Sequence, residues 1–141
     1  MNKRLLSFFV AMLMLVCLFP SVAFASDIIA SGYCGKDGDG KNLTWTLDGS
    51  GVLTISGTGA MKTYGAKMTS TAWVGTVPWV EYNSSIKKVV VEEGVTSLSD
   101  DFLYSYNEGG YISSNYLATN LTKVELPDSL TVIPGSAFTG C

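Results

Sequence analysis

The chain of 141 residues contains no histidine, and its single arginine is Arg4. Histidine is the commonest general base of enzymes and a frequent metal ligand, so its absence excludes Ser-His-Asp and Cys-His catalysis and His-based zinc sites. Paired carboxylates could still support glycoside hydrolysis. However, Glu92-Glu93 and Asp100-Asp101 are sequence neighbours whose side chains diverge in extended chain, which favours solvated turns. We therefore expect no enzyme and no cofactor, with a carbohydrate-active enzyme as the remote alternative.

Positive charge is scarce beyond the first 25 residues, which have the features of an export signal. Lys3 and Arg4 form a positive start, and residues 5–19 form an apolar run. Ala23-Phe24-Ala25 supplies the small residues of a cleavage site. The apolar run is shorter than the roughly 20 residues that span a bilayer, so an uncleaved membrane anchor is the weaker alternative. We predict a secreted or cell-surface protein that makes no membrane contact after signal cleavage.

The remainder, residues 26–141, is acidic. Of the nine Lys and Arg residues, two lie in the predicted signal, which leaves seven lysines against twelve acidic residues and a formal net charge of −5. Phosphate binding requires clustered Lys or Arg, so this balance excludes nucleic acid as a partner.

Cysteine is also scarce, since only Cys34 and Cys141 follow the predicted signal. A small exported protein that depends on disulfides carries four or more cysteines. One bridge between Cys34 and Cys141 stays open as the minor alternative. The major alternative is that each cysteine is a small, buried, apolar residue.

A glycine-rich polar stretch at residues 35–42 matches a calcium loop only in part. Asp37 and Asp39 alternate with glycines as oxygen ligands would. Lys41 stands where the EF-hand pattern requires an acid or amide, and Asp48 stands where it requires Glu. We interpret this stretch as a flexible hairpin loop and predict no metal site.

What the sequence does contain is a repeat. Residues 86–106 align without gaps to residues 121–141, an offset of 35, and the matches fall mainly on apolar positions. This pattern is expected when each unit stacks on a copy of itself and only the buried positions are constrained. Each unit reads L-x-x-L-x-L and then turns. In a strand, Val89 and Val91 would face the core, and Val124 would occupy the equivalent core position of the second unit.

Two short segments ahead of the repeat predict a β-hairpin. Residues 43–47 and 52–56 are rich in β-branched and aromatic residues, and Asp48-Gly-Ser-Gly51 between them suits a tight turn. We expect antiparallel pairing, with Trp45 on the packed face. Residues 57–85 show no sustained period, and we interpret them as an irregular but ordered connection whose Trp79 covers the open end of the repeat stack.

The phrases SGYCG…LTWTLDGSGVLTISGTGAM, VPWVEYNSSIKKVVVEEGVTSL and LTKVELPDSLTVIPGSAFTGC resemble those of the BspA-like leucine-rich-repeat proteins of bacterial cell surfaces. The resemblance covers essentially all of residues 26–141. It implies a secreted or wall-associated protein that binds other macromolecules, often host proteins, without catalytic activity. One departure is the spacing of 35 residues, since leucine-rich coils run roughly 20–29 residues.

Together these patterns predict a mainly β protein in which an N-terminal β-hairpin module caps a short leucine-rich-repeat solenoid. The expected divisions are a signal peptide at 1–25, a β-rich capping module at 26–85, and two leucine-rich repeats at 86–141, the first with a loop inserted at about 107–119. Solenoids need roughly three or more repeats and a polar cap. We therefore expect either a longer protein or an exposed end that another molecule covers, including self-association through the uncapped C-terminal repeat.

Two surfaces are candidates for ligand binding. Equivalent outward positions of stacked strands form a continuous sheet face, the usual contact face of solenoids. The inserted loop is the second candidate, because tyrosine is enriched at interfaces. The expected partner is a protein or glycan at the cell surface. The alternatives are an ordinary solvated face, and a structural segment capping a longer protein whose activity lies downstream. The candidate residues are Lys88, Val90, Lys123 and Glu125 on the sheet and Tyr111 and Tyr116 on the loop.

Overall fold

The structure, a computed structural model, describes residues 26–68, 73–106 and 118–141. The predicted signal peptide and most of the predicted inserted loop lie outside these residues. The described residues form ten strands and one short 3-10 helix, which confirms the mainly β prediction. Of residues 66–68, 73–75 and 105–106 only the backbone is described.

The elements follow one another along the chain and pair into three sheets. The largest sheet has five strands in the order β1-β2-β3-β7-β10, a second pairs β4 with β8, and a third has the order β5-β6-β9. The bounds are β1 (Ile28–Tyr33), β2 (Leu43–Asp48), β3 (Val52–Gly57), β4 (Gly59–Ala60), β5 (Ala66–Met68), β6 (Trp73–Gly75), the 3-10 helix (Val80–Ser85), β7 (Lys88–Val91), β8 (Val95–Ser97), β9 (Ser105–Tyr106) and β10 (Lys123–Glu125).

Strands β2 and β3 form the predicted antiparallel hairpin, with Trp45 opposite Ile55. The turn is fixed by Asp48, whose Oδ1 accepts hydrogen bonds from the backbone N–H of Ser50 at 2.9 Å and of Val52 at 3.0 Å. Gly51 has a φ of 88°, a conformation that a residue with a Cβ rarely adopts. Because side chains alternate along a strand, Trp45 and Ile55 are buried on one face of this hairpin.

The two predicted repeats stack on each other. Strands β7 and β10 pair in parallel, with Lys88 beside Lys123 and Val89 beside Val124, which confirms the offset of 35 residues. The stacking continues past the strands, since Thr131 N–H donates to the carbonyl of Thr96 at 2.9 Å. Hydrogen bonds from one unit to the next therefore follow the backbone around the turn.

A third unit, hidden in the sequence, precedes these two. Strand β3 pairs in parallel with β7, with Leu53 beside Val89 at an offset of 36 residues. Beyond the strand, Met61 N–H donates to the carbonyl of Ser97 at 3.1 Å. We call residues 52–61, 88–98 and 123–133 the first, second and third coil.

The first coil changes the expected relation between the hairpin and the repeats. Strand β3 belongs both to the antiparallel hairpin and to the parallel stack, so one sheet runs across the predicted boundary at residue 85. The prediction of an irregular segment at 57–85 was wrong, because β4, β5, β6 and the 3-10 helix lie within it. Strands of two or three residues carry too few side chains to show a period of two, and their pairing comes from distant partners.

Trp79 lies in the centre of the core rather than over an open end of the stack, which corrects the prediction. Its side chain is fully buried. The ring lies edge-on to Trp45 at 5.7 Å and to Phe102 at 5.3 Å between centroids. Its Nε1–H donates to the carbonyl of Phe102 at 2.9 Å. Trp79 thus joins β2 to the segment that follows the second coil.

Several apolar side chains of the third coil, including the residue after its strand, are exposed to solvent. Val124 is 37% exposed, Leu126 43%, and Val132 and Ile133 50% each. The equivalent Val89 of the second coil is fully buried. The difference arises because β10 is the edge strand of the five-stranded sheet.

Both cysteines that follow the predicted signal are free thiols, Cys34 buried and Cys141 exposed. Neither the bridge between them nor the burial expected for Cys141 is found. Within the described part of the chain, no helix has the length and hydropathy needed to cross a membrane.

Candidate binding face

The candidate site lies on the side of the five-stranded sheet that faces away from the core. We call this side the outer sheet face. Along β7, Val89 and Val91 are buried while Lys88 and Val90 are partly exposed, as the alternation of a strand requires. The face is built from the outward side chains of β2, β3, β7 and β10, which are Thr44, Thr46, Asp48, Val52, Thr54, Ser56, Lys88, Val90, Lys123 and Glu125.

Three of the predicted residues form one charged cluster on the part of this face that β7 and β10 contribute. Lys88 Nζ lies 2.9 Å from one carboxylate oxygen of Glu125, and Lys123 Nζ lies 2.7 Å from the other. The hydrogen bonds from Lys123 and Lys88 lower the pKa of the Glu125 carboxyl. Exposed ion pairs of this kind contribute little to stability. The cluster therefore contributes little to holding the fold, and its charges lie on the surface.

Val90, the fourth predicted sheet residue, lies beside the cluster. It is the register partner of Glu125 on one side and of Thr54 on the other. Thr54 in turn lies beside Thr46 of β2. A straight row of residues thus crosses four strands, changing from hydroxyl groups to an aliphatic side chain and then to charge. Such a row offers hydrogen bonds and ionic contacts to a partner that lies flat across the strands.

The predicted site residues Tyr111 and Tyr116 lie outside the described residues. The candidacy of the inserted loop therefore stays a prediction.

Glu93, one of the adjacent carboxylates of the Glu92-Glu93 pair, has a structural role that sequence reasoning missed. The Glu93 carboxylate accepts hydrogen bonds from the N–H groups of Asp128 at 2.9 Å and Ser129 at 3.3 Å. It thereby holds the turn of the third coil against the second, rather than being only a solvated charge. The repeat offset of 35 residues could have indicated this contact, since Asp128 lies 35 residues after Glu93.

The loop at residues 35–42 is held in place, which corrects the expectation of a flexible loop. Asn42 Oδ1 accepts from the N–H of Asp37 at 3.1 Å, and Asn42 Nδ2 donates to the carbonyl of Thr58 at 3.0 Å. Among the described residues, no group of three or more His, Cys, Asp or Glu side chains could hold a metal ion.

Neither a protein-family model nor a curated protein matches this chain. Among solved structures, the chain is similar to a leucine-rich repeat protein from Eubacterium ventriosum ATCC 27560, whose crystal structure was determined at 2.50 Å resolution. The two are 29% identical, the match covers 72% of this chain and 22% of that chain, and the TM-score is 0.46. The matched part of this chain thus spans less than a quarter of the length of that protein.

Proposed function

We propose that this protein is a secreted or cell-surface, non-catalytic leucine-rich-repeat protein of the BspA-like type, which binds a macromolecule through its outer sheet face. The observation that carries the proposal is the parallel register of β3, β7 and β10 at offsets of 36 and 35 residues. Stacked coils place equivalent outward side chains in line, and repeat proteins use the extended surface that results for binding.

The extent and chemistry of the face favour a large partner. The outward side chains of this sheet lie on four adjacent strands. Small ligands need a concave site that buries most of their surface. A protein or glycan chain can instead touch Thr46 and Thr54 and the Lys88–Glu125–Lys123 cluster at the same time. The proposed role of that contact is adhesion.

The test uses two charge reversals of the same kind. Glu125→Lys would break both ion pairs of the cluster, while Glu81→Lys changes an exposed acid on the 3-10 helix. Binding of labelled protein to immobilised collagen, laminin and mucin would be measured for both variants. We expect saturable binding to at least one surface, weakened on the order of tenfold by Glu125→Lys and unchanged by Glu81→Lys.

Absence of saturable binding on all three surfaces, or an equal loss in both variants, would count against the outer sheet face. Hydrolysis of the mucin glycans by purified protein, abolished when one acid is changed, would establish the enzyme alternative instead. Thermal unfolding of both variants serves as the control that each one is folded.

A separate proposal concerns self-association. We propose that two copies of the chain pair through β10, the edge strand of the third coil. Antiparallel pairing of two β10 strands about Val124 would place Lys123 of each copy opposite Glu125 of the other, a self-complementary arrangement. The exposed Val132 and Ile133 lie on the same coil, and the second copy would shield them from solvent. Sedimentation equilibrium should show a dimer that Val124→Lys dissociates. A monomer at all concentrations, or a heavier native polypeptide that begins with this sequence, would contradict the proposal.

A further inference from the structure

The loop at residues 35–42 and the segment after β4 form the two sides of an open cleft of about 290 Å³. Tyr33 and Tyr64 contribute its aromatic walls, and Lys36, Lys62 and Asp39 contribute its charged groups. The cleft adjoins β1, at one edge of the five-stranded sheet. The charged cluster of the outer sheet face lies on β7 and β10, at the opposite edge of the same sheet. It is therefore a second site, and it does not depend on the function proposed for the outer sheet face.

The cleft is pre-formed, because its two sides are hydrogen-bonded to each other. Lys36 N–H donates to the carbonyl of Ala60 at 3.0 Å, and Lys62 N–H donates to the carbonyl of Cys34 at 2.9 Å. Gly35 at its base has no room for a side chain, since a Cβ there would collide with the Asn42 amide. A ligand would thus meet little ordering cost on binding.

The two tyrosines differ in how firmly they are held. Tyr64 is partly buried and lies edge-on to the fully buried Trp79, with ring centroids 6.4 Å apart. Its backbone N–H also donates to Ser99 Oγ at 3.0 Å. Tyr33 is 54% exposed, and Lys41 Nζ lies 6.0 Å from the centroid of its ring. An aromatic ring with a polar tip suits a ligand that has an apolar face and polar edges, as a pyranose ring has.

The charges of the cleft do not cancel. Asp39 is paired with Lys41, at 2.5 Å between Nζ and Oδ2. No carboxylate of the described residues lies within ion-pair distance of Lys36 or Lys62. Lys62 Nζ instead lies 5.8 Å from the centroid of the Tyr64 ring. Two uncompensated ammonium groups therefore line one cleft in a chain whose formal net charge is −3. This local excess favours an anionic ligand.

We propose that this cleft binds a carboxylated pyranose, such as a uronic or sialic acid unit of a glycan. The tyrosine rings would contact the C–H face of the sugar, and Lys36 and Lys62 would donate charge-assisted hydrogen bonds to its carboxylate. A neutral sugar of the same shape would keep the ring contact and lose the ionic one. A simple anion would keep the ionic contact and lose the ring.

The test uses sugars that differ only at the carboxyl group. Cellobiouronic acid and cellobiose form one matched pair, and sialyllactose and its neutral methyl ester at the sialic acid carboxyl form the pair for sialic acid. Isothermal titration calorimetry at low ionic strength should give an affinity for the acidic member of at least one pair that is about tenfold higher than for its neutral partner. The pair that shows this preference identifies the acid. Equal affinities within both pairs, or no binding of either acid at millimolar concentration, would overturn the proposal.

Variants assign the effect to the cleft. The double variant Lys36→Gln, Lys62→Gln should abolish the preference for the acidic sugar, and Tyr33→Ala should weaken the acidic and neutral sugars alike. Tyr33→Phe should retain binding, because it keeps the ring. Lys87→Gln, which removes an exposed lysine outside the cleft, is the matched control. Acid-selective binding that survives the double variant would place the site elsewhere and overturn the assignment.

Discussion

Val124 lies directly beside Val89 in the parallel register of β10 and β7, yet Val89 is fully buried and Val124 is 37% exposed. The two residues hold the same position in their repeats. Their burial differs because β7 has a strand on both sides while β10 is an edge strand. Position in the repeat therefore decides which way a side chain points, and position in the stack decides how much it contributes to stability.

The first prediction follows from that difference. Val89→Asp would place an unpaired carboxylate in the core, and we expect it to cost on the order of several kcal/mol of unfolding free energy. Val124→Asp leaves its charge within reach of water, and we expect a cost of about 1 kcal/mol. Urea unfolding followed by tryptophan fluorescence measures both. Equal costs would mean that β10 is as well covered as β7.

The second prediction concerns the hydrogen bonds between coils. Ser129 Oγ accepts from the N–H of Gly94 at 2.9 Å and donates to the carbonyl of Val95 at 3.0 Å. Ser129→Ala should cost about 1–3 kcal/mol of unfolding free energy, because it leaves both backbone groups without this partner. Ser31→Ala, on the exposed side of β1, is the matched control and should change stability by under about 0.5 kcal/mol. A Ser129 variant as stable as the control would refute this role.

The third prediction concerns acid stability. Partial burial acts to raise the pKa of the Asp48 carboxyl, but hydrogen bonds from Ser50, Val52 and Gly51 lower it below its usual value. A group with a lowered folded pKa stabilises the fold above its unfolded pKa of about 3.9. That contribution is lost as the pH falls from there through the folded pKa. Asp48→Asn should therefore show a shallower loss of unfolding free energy below about pH 4 than the unmodified protein. Parallel curves would contradict this.

The fourth prediction concerns thiol reactivity. Burial raises the pKa of the Cys34 thiol to about 12, and partial burial also raises that of Cys141. Because the thiolate is the reactive form, both should react slowly. Exposed Cys141 should be alkylated by iodoacetamide in the native protein, and Cys34 only after unfolding. Peptide mass mapping distinguishes the two sites. Resistance of both thiols until a reductant is added would instead indicate the bridge.

Sequence reasoning predicted the features that depend on period and spacing. The alternation around Trp45 and the apolar repeat at 35 residues were sufficient to predict the β2–β3 hairpin and the β7–β10 pair. The first coil was missed because its spacing is 36 residues and because Gly59 stands where the second coil has Val95. Trp79 was misplaced because its partners Trp45 and Phe102 are distant in sequence.

The two candidate sites also differ in whether the sequence could predict them. Lys88, Lys123 and Glu125 could be grouped from the sequence, since outward positions of stacked strands must lie together. The cleft could not be predicted, because Tyr33 and Lys62 are brought together by backbone hydrogen bonds between segments distant in sequence, from Lys62 N–H to the carbonyl of Cys34 and from Lys36 N–H to the carbonyl of Ala60. No local pattern in either segment indicates that contact.

Nuclear Overhauser contacts across the strands are the most direct test of the parallel stacking of the three coils. Backbone contacts between β3 and β7 and between β7 and β10 should pair Leu53 with Val89 and Val89 with Val124, in the pattern of parallel strands. That result would support the outer sheet face as a continuous surface. An antiparallel pattern, or no contact between Val89 and Val124, would contradict the stack and the binding face built on it.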